Sequence, residues 1–90
     1  MNLKTIAKHL EIEEKEIQKL ALKTFLKEKK QSLLKGKTEI LSKYKVDSIE
    51  KMEKKIKVGE IKEHPAWEDL IVLENISQKI KEIESDIKNL

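Results

Sequence analysis

An all-α fold is predicted, a helical hairpin or small bundle built on one long central helix and assembled as a dimer. Three features of the 90-residue sequence predict it. Ile and Leu recur at intervals of three and four with no strand-like alternation. No Pro interrupts the pattern between Glu13 and Tyr44. One short stretch, Val58 to Asp69, collects the only Pro, the only Trp, one of two Gly and one of two His. That stretch reads as the corner at which the rod turns back.

Taken in order, Asn2 caps a first helix through His9, with Leu3, Ile6, Ala7 and Leu10 on one side. Leu10-Glu11-Ile12 makes a connection. A second helix starts at Glu13, with Glu16 as its reciprocal capping partner, and runs to Tyr44. Such a helix spans roughly 48 Å at about 1.5 Å per residue, so it needs support along its length. Only Gly36 weakens it, by about 1 kcal/mol relative to Ala. Its apolar residues form a wide cluster, Ile17 to Leu26, and a narrower stripe, Leu33 to Tyr44. The wide cluster, with Ile17, Leu20, Ala21 and Phe25, is the expected dimer surface. Asp47 and Glu50 suggest a capping box for a third helix carrying Ile49, Met52 and Ile56. Gly59 is placed to end it in the left-handed conformation, and Pro65 to open a fourth helix at its first turn. In that helix Leu73, Ile76, Ile80, Ile83, Ile87 and Leu90 form a heptad seam, able to pair antiparallel with the Leu33–Tyr44 stripe. Residues 1–45 and 46–90 are thus two halves of a single domain.

Composition narrows the chemistry. The chain is 41% charged and 38% hydrophobic, and it contains no Cys, which excludes a disulfide framework and a thiolate metal site. No signal peptide and no apolar run of membrane-spanning length is present, so a cytoplasmic protein without a membrane partner is expected. All 20 basic residues are Lys, and abundant Lys, Glu and Ile is a composition seen in hyperthermophile proteins, which suggests a hot-growing source. The charge is uneven: residues 1–45 carry a net +6 and residues 46–90 a net −3. The basic half reads either as a phosphate-binding face or as a helix laid against the acidic half of the same chain or its dimer mate.

Catalytic machinery is not expected. Ser residues lack His–Asp support, no Gly-rich phosphate loop occurs, and the carboxylates near the corner fall on exposed helix faces where burial cannot tune them. His64 stands among Glu60, Glu63 and Glu68, but His before Pro reads more simply as a helix cap, and no metal site or cofactor is expected. Trp67 is either a plug under the corner or an exposed anchor for a partner, since Trp dominates interface hot spots. The acids around it give residues 60–74 a net −4, suited to a basic partner.

Two stretches resemble known proteins. Leu10, Ile12 and the run Ala21-Leu22-Lys23-Thr24-Phe25-Leu26 resemble the turn and second helix of ribbon-helix-helix proteins, with Glu11 in place of a Gly and Glu13 in place of a Ser or Thr. The DNA-reading strand of that family has no counterpart, only Met1 and Asn2 preceding the first helix. Tyr44–Glu50, Gly59–Asp69 and Leu73–Ile76 look like the C-terminal half of small helical antitoxins of archaeal and bacterial toxin–antitoxin modules. The resemblance implies a non-enzymatic chain that dimerises through its N-terminal part and wraps a small basic toxin with the rest. Trp67, Leu70, Leu73, Glu63, Glu68, Asp69 and Glu74 are the candidate contacts. Alternatives are a DNA-binding regulator using Lys19, Lys23, Lys27, Lys29 and Lys30, handicapped by the absence of Arg, and a structural coiled coil self-associating through Leu73–Leu90.

Overall fold

The computed structural model describes residues 2–90 and contains four helices: α1 (Leu3–Leu10), α2 (Glu14–Lys43), α3 (Ile49–Lys57) and α4 (Glu63–Lys88). Met1 lies outside the described residues. Among the described residues there is no strand. The molecule is a rod, 62 × 22 × 17 Å, with a radius of gyration of 19.2 Å, against about 13 Å for a compact chain of similar length.

The rod follows from how the apolar stripes pair. α4 lies antiparallel along α2, an arrangement pinned by Lys43–Asp69 at one end and Lys30–Glu84 at the other. Its seam faces α2: Leu73, Ile80 and Ile83 are buried and Ile76 and Ile87 half-buried. The seam reaches further back than Leu73, through Leu70 and Ala66, which keep the same spacing and are also buried. Packing is thickest at the corner, where α3 crosses and Leu41, Met52, Ile56, Ala66, Leu70 and Leu73 form one core, flanked by Ile40, Tyr44, Val46, Ile49 and Ile61. Self-association through Leu73–Leu90 has little left to use, since that stripe is already committed to α2 of its own chain.

Helix ends explain the turns. Asn2 caps α1 by accepting from the N–H groups of Lys4 at 2.9 Å and Thr5 at 3.3 Å. α3 is capped by Ser48, whose Oγ accepts from Lys51 N–H at 3.1 Å, and not by Asp47, which forms an ion pair with Lys51 at 2.9 Å. The shorter Ser side chain sits at the extended residue directly before the helix, so the expected Asp47–Glu50 box does not form. Glu13 precedes α2 without a side-chain cap, so its pairing with Glu16 is also absent. His64 is extended, with φ −113° and ψ 123°, so regular helix begins at Pro65 as its fixed φ favours.

Three helices end in the same way. At Gly59 (φ 82°), the N–H donates to Ile56 C=O while the Glu60 N–H reaches Lys55 C=O, the doubly bonded reversal known as the Schellman motif. Glu11 and Lys45, both at φ 56°, make the same pair of bonds after α1 and α2. Val46 and Leu41, one either side of the second reversal, both belong to the corner cluster.

Candidate functional site: two exposed apolar surfaces

The seam that buries Ala66, Leu70 and Leu73 decides which side of α4 is left for others. Leu70-Ile71-Val72-Leu73 is apolar on all sides as a sequence, yet only Leu70 (2% exposed) and Leu73 (0%) point into the core. They are internal residues of this chain and not surface that a partner could touch. Trp67 is likewise not a plug under the corner: it is 44% exposed, and its neighbour Ala66 is the fully buried residue. One position on a helix is a rotation of about 100°, which carries the indole from the core edge to the outside. Trp67 and Ile71, four apart, are neighbours on this outer arc, and Val72 lies further round it, also exposed.

Acidic residues rim the arc. Glu63, Glu68 and Glu74 are exposed, and Glu68 Oε1 lies 2.8 Å from His64 Nδ1. Asp69 has a different job. It turns back towards α2, where the Tyr44 hydroxyl donates to its Oδ2 and Lys43 Nζ reaches the same oxygen at 3.2 Å. The Tyr44 bond, and then Lys43, hold the Asp69 carboxyl below its ordinary value. Partial burial and the carboxylate push the Tyr44 phenol above its own. Asp69 therefore ties α4 to the end of α2. The residues missed in the sequence are Ile71 and Val72, and the signal was present: carrying the seam backwards from Leu73 at steps of three and four assigns Leu70 and Ala66 inward and leaves Trp67, Ile71 and Val72 outside.

The second surface lies at the other end of the rod. α4 finishes alongside Lys27, as shown by the groove that Lys27, Lys30, Gln31, Glu84, Ile87 and Lys88 share. The first part of α2, residues 14–25, projects roughly 18 Å beyond it, accompanied only by α1. Here Leu10, Ile12, Ile17, Leu20, Ala21, Thr24 and Phe25 line an open apolar groove, bounded by Glu28. The four residues expected at a dimer surface are thus all on this groove, joined by Leu10 and Ile12 from the α1–α2 turn. The face is on the side of α2 opposite the one that receives α4, which is why this helix has two stripes and not one.

Of the lysines, Lys30 is half-buried and pairs with Glu84 at 3.3 Å, while Lys19, Lys23, Lys27 and Lys29 are exposed. Lys30–Glu84 and Lys43–Asp69 show that the basic helix does lie against the acidic half of its own chain. Among the described residues no three His, Asp or Glu side chains gather as a metal-binding group, and no helix is long and apolar enough to cross a membrane.

What these features define is an elongated all-α protein, a two-helix rod with a strap across one end and apolar surface exposed at both. The chain belongs to the family described as Uncharacterized protein MJ0235 family, whose profile matches residues 1–90. No curated protein and no solved structure matches the chain.

Proposed function

We propose that this chain is a non-enzymatic protein-binding module whose outer α4 arc captures a basic partner. The observation that carries the reading is the exposure of the sole Trp, beside exposed Ile71, on a helix whose own packing is satisfied on its opposite side. An exposed Trp–Ile pair rimmed by Glu63, Glu68 and Glu74 offers a desolvatable centre and a charged rim, the anatomy of an interface anchor. A basic protein suits it, because the local acids outnumber the single Lys62. A small toxin of a toxin–antitoxin module is the partner to which the resemblance of residues 44–76 points, and neutralisation would then consist of covering the toxin's working surface. Lys19, Lys23, Lys27 and Lys29, free of ion pairs within the described residues, support a DNA-binding regulator more weakly, since phosphate contact without Arg positions a protein but reads little sequence.

The test is to tag the full chain, isolate it from its own host and identify by mass spectrometry what stays bound, then to titrate that protein against Trp67→Ala and Ile71→Ala. Loss of affinity by about thirtyfold or more at Trp67, with helical content unchanged, is the expected result for an anchor residue. Equal affinity of the Trp67→Ala chain for the co-purified partner removes the proposal.

A further inference from the structure

The N-terminal groove is complementary to itself, and we propose that it is closed by a second copy of this chain, with the two α2 helices running antiparallel about a two-fold axis between Ala21 and Thr24. The inference does not depend on the α4 reading. It starts from exposure: Leu10 and Phe25 are each 58% exposed and Leu20 52%, and α1 buries only Ala7. An apolar face of this kind on a chain with so little core of its own needs a cover.

What identifies the cover is the order of charges along the same helix. Residues 11–16, entering α2, hold Glu11, Glu13, Glu14 and Glu16 against Lys15 alone. Residues 27–29, on the far side of the groove, hold Lys27 and Lys29 against Glu28, while Lys30 is turned to α4 and paired with Glu84. One end of the groove is acidic and the other basic. A parallel partner would set like charge on like charge, whereas an antiparallel copy sets acid on base twice, once at each end. Helical geometry sharpens the match. At about 100° per residue, Glu16 and Lys27 flank the apolar face on one side and Glu14 and Lys29 on the other. A two-fold axis perpendicular to both helices brings each flank against the same flank of the second copy, so that Glu16 meets Lys27 and Glu14 meets Lys29, giving four cross-pairs in all. Ala21 and Thr24, the small residues of the groove, fall at the axis, where the helices must approach most closely. Glu28 falls opposite the first turn of the second copy's α2, whose N–H groups no side chain caps. The product is a longer rod with the two Trp67 arcs at its distal ends.

Sedimentation equilibrium of the full chain is expected to give twice the 10.6 kDa chain mass at high micromolar concentration. Ala21→Glu, which changes an exposed position, is expected to restore the monomer with unchanged helical content. Two charge-reversed chains test the direction. One carries Glu13→Lys, Glu14→Lys and Glu16→Lys; the other carries Lys27→Glu and Lys29→Glu. Each alone is expected to self-associate at least about tenfold more weakly, and their equimolar mixture to recover a heterodimer. A wild-type chain that stays monomeric at every concentration, or a dimer indifferent to Ala21→Glu, overturns the interface and leaves the groove to another protein. A dimer sensitive to Ala21→Glu whose reversed chains each self-associate as tightly as the wild type, as a parallel pair with like charge already on like would, overturns the antiparallel arrangement.

Discussion

The two ends of this rod are both built from amphipathic helices and packed to very different degrees. At the corner, residues 40–73 surround Met52, Leu70 and Leu73 with apolar side chains from three helices and lock the arrangement with Tyr44, Lys43 and Asp69. At the other end, α1 and residues 14–25 of α2 leave Leu10, Leu20, Leu22 and Phe25 in the open. Helix formation is equally well specified in both. The difference is the number of apolar stripes that meet: three at the corner, two short ones at the tip. Helical propensity therefore sets secondary structure throughout, but tertiary packing is concentrated at the corner, and the tip keeps its apolar surface exposed.

The sharpest way to break that comparison is to truncate one apolar side chain at each end. Leu73→Ala removes a fully buried side chain from the corner and is expected to lower stability by about 2–5 kcal/mol, a large share of the roughly 5 kcal/mol available to a small domain. Phe25→Ala removes a larger side chain from the tip, yet is expected to change the unfolding of the dilute chain by no more than about 0.5 kcal/mol. Urea unfolding followed by circular dichroism measures both. A comparable loss from Phe25→Ala at low concentration would mean that the tip is already packed.

A smaller effect probes the lock itself. The Tyr44–Asp69 bond needs the carboxylate ionised and the phenol protonated. Asp69 is held below its ordinary value of 3.8, so its stabilisation is complete above that pH and is lost as pH falls through the lower folded value. Tyr44 is held above its ordinary value of 10.0, so its share is complete below that pH and is lost as pH rises through the higher folded value. Asp69→Asn is expected to cost about 1–2 kcal/mol at neutral pH and to flatten the acid limb of the stability profile. The readout is the unfolding midpoint measured from pH 7 down to about pH 2. An acid limb as steep in the Asn chain as in the wild type would assign acid lability to other carboxylates.

The legibility of the molecule in its sequence follows the same division. The corner could be read because Gly59 and Pro65 mark it, and the long helix because no residue between Glu14 and Lys43 stops it. The α4 seam could be read because its intervals are regular, but its upper end could not, since Leu70 to Leu73 are apolar in a row and only the continued spacing separates inside from outside. That ambiguity placed Leu70 and Leu73 on the partner surface and left Trp67 between a plug under the corner and an exposed anchor. Asp69 stood among surface acids as far as its neighbours in sequence could show, and only the return of α2's last turn, bringing Tyr44 against it, assigns it to the α2–α4 contact. The Asp47 and Glu13 caps failed for a local reason, since whether a side chain reaches an N–H depends on one backbone conformation that residue type alone does not fix.

The smallest effect separates the two ends most finely, because the same backbone reversal closes a helix in each. Lys45 and Glu11 both adopt φ 56°, a conformation that costs an L-residue about 1 kcal/mol and Gly almost nothing. Part of the gain from introducing Gly is returned to the more flexible unfolded chain, leaving about 0.5 kcal/mol. Lys45→Gly acts where Val46 packs back on Leu41, so the relief belongs to the corner and is expected to raise the global unfolding midpoint by that amount. Glu11→Gly acts on a turn beside α1, which buries only Ala7 and is expected to open before the corner, so it is expected to slow amide exchange in α1 while leaving the global midpoint unmoved. If both substitutions raise the midpoint equally, tip and corner unfold as one unit, and the tip is held by contacts stronger than Ala7 and its half-buried neighbours provide.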